Sequence, residues 1–346
     1  MRRRDLLRLG LEGGAVLLLG AGAGPRAETA SRDYPGSTVH AAHPLEFRLD
    51  SAYRPDLSDA AAGRLAAALL AFLRAEHPSG RKISFWDLAP AEMPYLARHL
   101  ELVVEHTFRG VRENLAVRPV DPVAICSLLY NESRFHPKVV SPAGATGMAQ
   151  FMPDTAIRFE LTPVAHLDLW VRYREARQAF RSGRRRRTRA FASRHSLRGF
   201  DAEATLRRAR ERRDLSILEG YLEIVDEEDP SETLLRDYIA RLESDLGRHH
   251  FFWQGRADLA AIDGRVSYAA VERAVRYVAQ QLADYQGMVT TALAAYNAGP
   301  DAVRVRSRES ILYRFGEIPD YGETIRYVQR FLAVYSAIKY QLFERL

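Results

Sequence analysis

From Asp56 onward, apolar positions at helical spacing organise the chain. Leu65, Leu69, Leu70 and Leu73 fall on one helix face in the Ala-rich stretch Asp56 to Glu76, which ends at His77-Pro78-Ser79-Gly80. Met93, Leu96, Leu100, Val103, Val104 and Phe108 give a second amphipathic helix within Ala91 to Leu115. His99 and His106 lie seven apart on it, whereas a metal pair prefers a spacing of four, so they read as surface histidines. Asp121-Pro122 opens a third helix, with Asp as N-cap and Pro at the first helical position; Pro137 closes it by about His136. Further helical patterns run through Leu167, Trp170, Val171 and Tyr173, then Leu206, Leu215, Leu218 and Leu222, then Ser231 to Leu246. Val266 to Gln286 carries Val271, Val275, Val278 and Leu282 on one face, and Phe331, Leu332, Tyr335 and Ile338 mark a last helix.

The third helix holds the first candidate for chemistry. Ile125, Leu129 and Glu132 stand at i, i+4 and i+7, so a carboxylate shares a face with core residues. It lies in the last turn, at the negative end of the helix dipole. Desolvation and the dipole both raise a carboxyl pKa, from about 4.3 towards 6, where a general acid works. A Glu that simply turns into solvent fits this segment equally well. The next residues weigh against that. Ser141-Pro142-Ala143-Gly144-Ala145-Thr146-Gly147 is a small-residue loop that lets backbone approach a ligand. Met148 to Ala156 then mixes the Gln150 amide with soft apolar groups, the combination a sugar site uses for hydroxyls and ring faces.

Glu132-Ser133-x-Phe135, followed by Ser141-x-x-Gly144-Ala145-x-Gly147-Met148-x-Gln150-x-Met152-Pro153-x-Thr155-Ala156, resembles the first two motifs of the soluble, goose-lysozyme-like lytic transglycosylases. Ala292-Leu293-Ala294-Ala295-Tyr296-Asn297-Ala298-Gly299-Pro300 resembles a third motif, and Glu317 to Val328 the last. Between them, Ala270-Val271-x-x-Ala274-x-x-Tyr277-Val278 keeps only part of the family pattern; its Asn and Gly are replaced. Ala in place of that Gly would push two helices slightly apart.

The resemblance implies an all-α, lysozyme-like helical domain over 119–346. A helical extension at 56–118 precedes it, and a large helical, Arg-rich insert at about 160–264 interrupts it. It implies cleavage of the β-1,4 bond between N-acetylmuramic acid and N-acetylglucosamine of peptidoglycan glycan strands, with a 1,6-anhydro product. Glu132 would be acid and then base, and Ser141, Met148, Gln150, Tyr296, Asn297 and Tyr327 would bind the sugars. It implies no metal and no cofactor. A hydrolytic muramidase on the same fold and a non-catalytic wall-binding protein are the competing readings.

Composition adds three points. The formal net charge of +6 is small beside a local excess: Arg172 to Arg213 holds sixteen Arg against four acids. Such a stretch attracts polyanions, here an anionic cell-wall polymer, peptide-stem carboxylates or a membrane surface; a self-repelling solvated loop fits the run as well. Nucleic acid is not expected if the protein is exported. Export is the reading of Met1 to Ala23, with Arg2-Arg3-Arg4 before a short apolar stretch and an Ala21-Gly22-Ala23 cleavage site, a twin-arginine-like signal followed by a linker or extended arm at 24–55. The mature protein would be periplasmic or secreted, without a lipoprotein Cys. The single cysteine, Cys126, reads as a small buried hydrophobe.

Overall fold

The computed structural model describes residues 49, 51–82, 89–92, 96–161, 166–246, 268–307 and 322–343. Twelve helices make up the described fold, and the only β pairing among these residues is a pair of isolated bridges at Val140, Thr146 and Phe151. The fold is all-α. The expected signal Met1–Ala23, nearly all of the arm at 24–55, the aromatic cluster His249–Trp253 and the segment Glu317–Tyr321 lie outside the described residues.

Two compact units divide the chain, one of them spanning Asp168–Asp237 and the other including Tyr34–Leu167 and Tyr238–Leu346. The second contains α1 (Asp59–Glu76), α2 (Leu96–Asn114), α3 (Pro122–Ser133) and α4 (Pro153–Arg158). It also contains α9 (Tyr268–Asp284), α10 (Val289–Ala298), α11 (Pro300–Ser307) and α12 (Gly322–Phe343). Ser58 caps α1 by accepting from the Ala61 N–H at 3.2 Å. Asp121 caps α3 by accepting from the Val123 N–H at 2.9 Å, with Pro122 at the first helical position.

α3 is the centre of this unit. It packs against α2, α9 and α12, and of its residues all but Glu132 are buried. A helix apolar on every side must be enclosed by others. Cys126 is fully buried within it, and burial pushes its thiol up to about 12, the inert packing residue expected. The helix ends three residues before His136, through Arg134 in the left-handed region at φ 57°. Phe135 follows at φ 63°.

His99 and His106 are not surface residues. His99 is completely buried; its Nε2 lies 2.8 Å from the Phe135 carbonyl and its Nδ1 2.7 Å from the Tyr268 hydroxyl. A carbonyl can only accept, so Nε2 carries the proton and Nδ1 accepts from Tyr268. His106 is partly buried, with Nδ1 2.7 Å from Glu272 and its ring stacked on Tyr268 at 5.2 Å. His99 lies in the buried stripe of α2 and His106 at its edge, because the Tyr268 hydroxyl and ring of α9 give these polar rings partners there. Bulky residues in the left-handed region cost about 1–2 kcal/mol each. The His99 bond and the full burial of the Phe135 side chain help hold the chain in that conformation.

Ala274, which stands where the family pattern has Gly, is buried in α9, and the close approach of α9 to α2 is made elsewhere, at Gly110. Gly110 of α2 meets α9 where an added Cβ would stand 3.0 Å from Val275 and 3.1 Å from the Glu272 Cα.

The unit Asp168–Asp237 holds most of α5 (Leu167–Arg194), all of α6 (Ala202–Arg212) and α7 (Ser216–Val225), and the start of α8 (Ser231–Leu246). It lies within the insert expected at 160–264, and α8 continues beyond it from Tyr238. Phe191, Ala209, Ile217 and Ile224 form its small core. The arginine run is not a loop but the body of the 28-residue helix α5. Arg is a good helix former, and Tyr173 and Phe191 supply buried anchor points near its two ends.

Candidate active site

Glu132 stands in the last turn of α3, half-buried, and accepts a 2.5 Å hydrogen bond at Oε1 from the Tyr327 hydroxyl. Burial pushes its carboxyl up to about 7, against the opposing pull of that hydrogen bond and of the Arg330 guanidinium. At neutral pH it can therefore give or take a proton. Tyr327 is buried and holds its own proton far above the ordinary phenol range, through burial first and the Glu132 charge second.

Tyr327 is aimed by a polar clamp between α12 and α3. Asn131 donates from Nδ2 to the Tyr327 carbonyl at 3.2 Å. Its Oδ1 accepts from Arg330 Nε, and its carbonyl accepts from Arg330 Nη2 at 3.1 Å. The other end of α3 is held the same way. Asp121 Oδ2 accepts from Tyr335 at 2.6 Å and pairs with Lys339 at 2.9 Å. Contacts from 327 and 330 to 131, and from 335 and 339 to 121, make the two helices antiparallel and fix their register.

The loop after α3 is bound into a compact turn by its own backbone and side chains. Ser133 Oγ donates to the Met148 carbonyl at 2.9 Å, tying the loop to the residue after Glu132. Ser141 Oγ accepts from the Ala145 N–H at 2.9 Å and the Ala143 N–H at 3.3 Å. Gln150 sits at φ 47° and donates from Nε2 to the carbonyls of Gly147 at 2.9 Å and Val139 at 3.1 Å. The Met148 side chain is fully buried.

Tyr296 lies in the last turn of α10 near the acid: burial first, and the Glu132 charge second, raise its phenol far above the usual range. Its hydroxyl donates to the Ala149 carbonyl at 2.7 Å, and its ring packs 5.1 Å from Tyr277 and 6.1 Å from Phe151. Asn297 Oδ1 accepts from Thr324 Oγ1 at 3.0 Å, linking α10 to the first turn of α12. After α10 the chain turns at Gly299, at φ 87° with ψ 145°, a conformation essentially confined to glycine. Pro300 opens α11, and Asp154 and Asp301 occupy the first turns of α4 and α11.

Of the six residues expected to bind sugars, Tyr327 touches Glu132 and Tyr296 feels its charge. Ser141, Met148 and Gln150 shape the loop, and Asn297 anchors α12. Sequence reasoning missed Asn131, Ser133, Arg330 and His99 as supports of the acid. Ser133 lay within the recognised motif; the rest depend on contacts across 36 to 199 positions.

Residues 111–168 match the family model of the Transglycosylase SLT domain. No solved structure gives a significant match to the chain. The matched stretch includes Glu132, the loop and α4, and it stops where the separate unit begins at Asp168. The match assigns residues 111–168 to the transglycosylase SLT domain family, consistent with the soluble lytic transglycosylases that the motifs around Glu132 resemble.

Proposed function

We propose that the protein is an exported lytic transglycosylase that cleaves the β-1,4 bond between N-acetylmuramic acid and N-acetylglucosamine in peptidoglycan. The observation that carries this reading is the single half-buried acid of an SLT-matching stretch, with its carboxyl pushed up to about 7 and hydrogen-bonded to Tyr327. Glu132 protonates the leaving glycosidic oxygen. The substrate's own N-acetyl group stabilises the developing cation. Glu132, now ionised, then takes the proton of the muramic acid 6-hydroxyl as that oxygen attacks the anomeric carbon, giving a 1,6-anhydro sugar. An internal hydroxyl held in place competes with water because effective molarities reach about 10⁵ M or more. This chemistry needs one titrating carboxyl, where most glycosidases need two. Tyr327 keeps Glu132 in position, Tyr296 buttresses it, and Ser141, Met148, Gln150 and Asn297 shape and line the sugar cleft.

The test is mass spectrometry of muropeptides released by the protein and by Glu132→Gln. Products one water lighter than reducing muropeptides, lost in the variant, are the expected result. Reducing ends would make the protein a muramidase on this scaffold, and equal release by the variant would remove Glu132 from the chemistry.

A further inference from the structure

The charge of the unit Asp168–Asp237 is sorted along the chain. Arg172 to Arg213 carries sixteen Arg and four acids, whereas 214–237 carries nine acids and one Arg. The side of α5 that packs towards α7 is neutralised locally. Arg187 pairs with Glu227 in the turn after α7, and the half-buried Arg184 lies near Tyr221 of α7. The opposite side is not. Arg181, Arg185 and Arg189 are exposed, recur every four residues, and form no ion pair among the described residues. At 1.5 Å and about 100° per residue their backbone positions span about 12 Å along one flank of the helix, winding about 80° round it.

From this row we infer a docking surface for the carboxylates on the peptide stems of the peptidoglycan strand, a second hold on the polymer whose glycan is cut at Glu132. This rests on the function proposed above. Guanidinium groups bind carboxylates through paired hydrogen bonds, and a row of them suits a polymer bearing many such groups. A membrane fits less well. A helix lying in a lipid interface must offer a free apolar face, but Tyr173 and Phe191 of α5 are buried, and Phe191 is part of its own unit's core. The exposed Leu167 and Val171 stand at the start of the helix, before the row. Each exposed charge contact is weak alone, so the gain comes from several acting on one tethered polymer.

The experiment measures retention of the full chain on purified wall sacculi, in a Glu132→Gln background so that the polymer stays intact. R181Q/R185Q/R189Q is expected to bind about tenfold more weakly, and the matching triple Lys variant, which keeps the charge but not the paired hydrogen bonds, to fall between it and the parent. Stripping the peptide stems from the glycan is expected to lower retention of the parent to the level of the triple Gln variant. Unchanged retention of the triple Gln variant, or equal binding to stripped glycan, overturns the inference. So does tighter binding to duplex DNA or to phosphatidylglycerol vesicles than to intact sacculi. With Glu132 restored, cleavage of a short soluble glycan is expected to be the same with and without the three arginines. Loss of that cleavage in both proteins would count against the proposed function, while arginine-dependent retention would still support the surface.

Discussion

At the scale of single residues, the acidity of Glu132 is set by three influences that can be separated. Burial raises it; the Tyr327 hydrogen bond and the Arg330 charge lower it. Arg330→Met removes a cation and releases Asn131, so the Glu132 pKa is expected to move above 7. The pH–rate profile of glycan cleavage should shift to higher pH, and Arg330→Lys, which keeps the charge but not the forked contact with Asn131, should shift it less. A shift to lower pH would show that Arg330 does not act on the acid electrostatically. Tyr327→Phe removes the other lowering influence, so it too should shift the profile upward. It should also lower the rate by about tenfold or more, because the carboxyl loses the bond that aims it. The position of Glu132 in the last turn of a buried helix was legible in the sequence, because the apolar spacing before it and the small-residue loop after it are local patterns. Arg330 was not: nothing in the run Tyr327-Val328-Gln329-Arg330 distinguishes a residue that reaches across to Asn131 from one that faces water.

At the scale of elements, the site depends on the register between α3 and α12. Asp121 caps α3, accepts from Tyr335 and pairs with Lys339, so one carboxylate holds two helices. Asp121→Ala is expected to cost about 2–4 kcal/mol in urea unfolding, since it removes a cap and leaves a buried hydroxyl and an ammonium unpaired. Asp121→Asn keeps the cap and should cost clearly less; equal losses would mean that the cap contributes little and that the charged contacts to α12 carry the effect. The α2–α9 contact makes a second prediction. Gly110→Ala places a methyl 3.0 Å from Val275 and should destabilise by about 1–3 kcal/mol, with partial recovery on adding Val275→Ala. The helix start at Asp121-Pro122 could be read from the sequence because capping is local chemistry, whereas α1 was read from Asp56 and starts at Asp59 behind its Ser58 cap. The close approach at Gly110 could not. It is a property of a pair of helices, and a glycine inside an amphipathic pattern gives no sign of which neighbour it admits.

At the scale of the whole molecule, the two histidines show what periodicity alone leaves open. His99 and His106 were placed on the right helix but on the wrong side of it, because a polar ring is buried only where a partner waits, and the partner is Tyr268 of α9, 169 positions from His99. That burial gives the fold a pH dependence opposed to that of the site. Burial lowers His99 from its usual 6.5 to about 4, so the unfolded chain binds the extra proton first, and His99 destabilises the fold as pH falls from 6.5 towards 4. Glu132 does the reverse. Its carboxyl is raised from 4.5 to about 7, so the folded protein holds the proton more tightly, and stability falls as pH rises from 4.5 to 7. The two slopes cancel in large part between pH 4.5 and 6.5, and the wild type should be nearly flat there. Glu132→Gln exposes the His99 slope, so its stability relative to wild type should grow by about 1–3 kcal/mol from pH 4.5 to 7. His99→Gln exposes the Glu132 slope and should lose stability as pH rises through the same window. Urea unfolding at four pH values separates the cases, and curves for the two variants that run parallel to wild type would show that neither group titrates as its surroundings dictate.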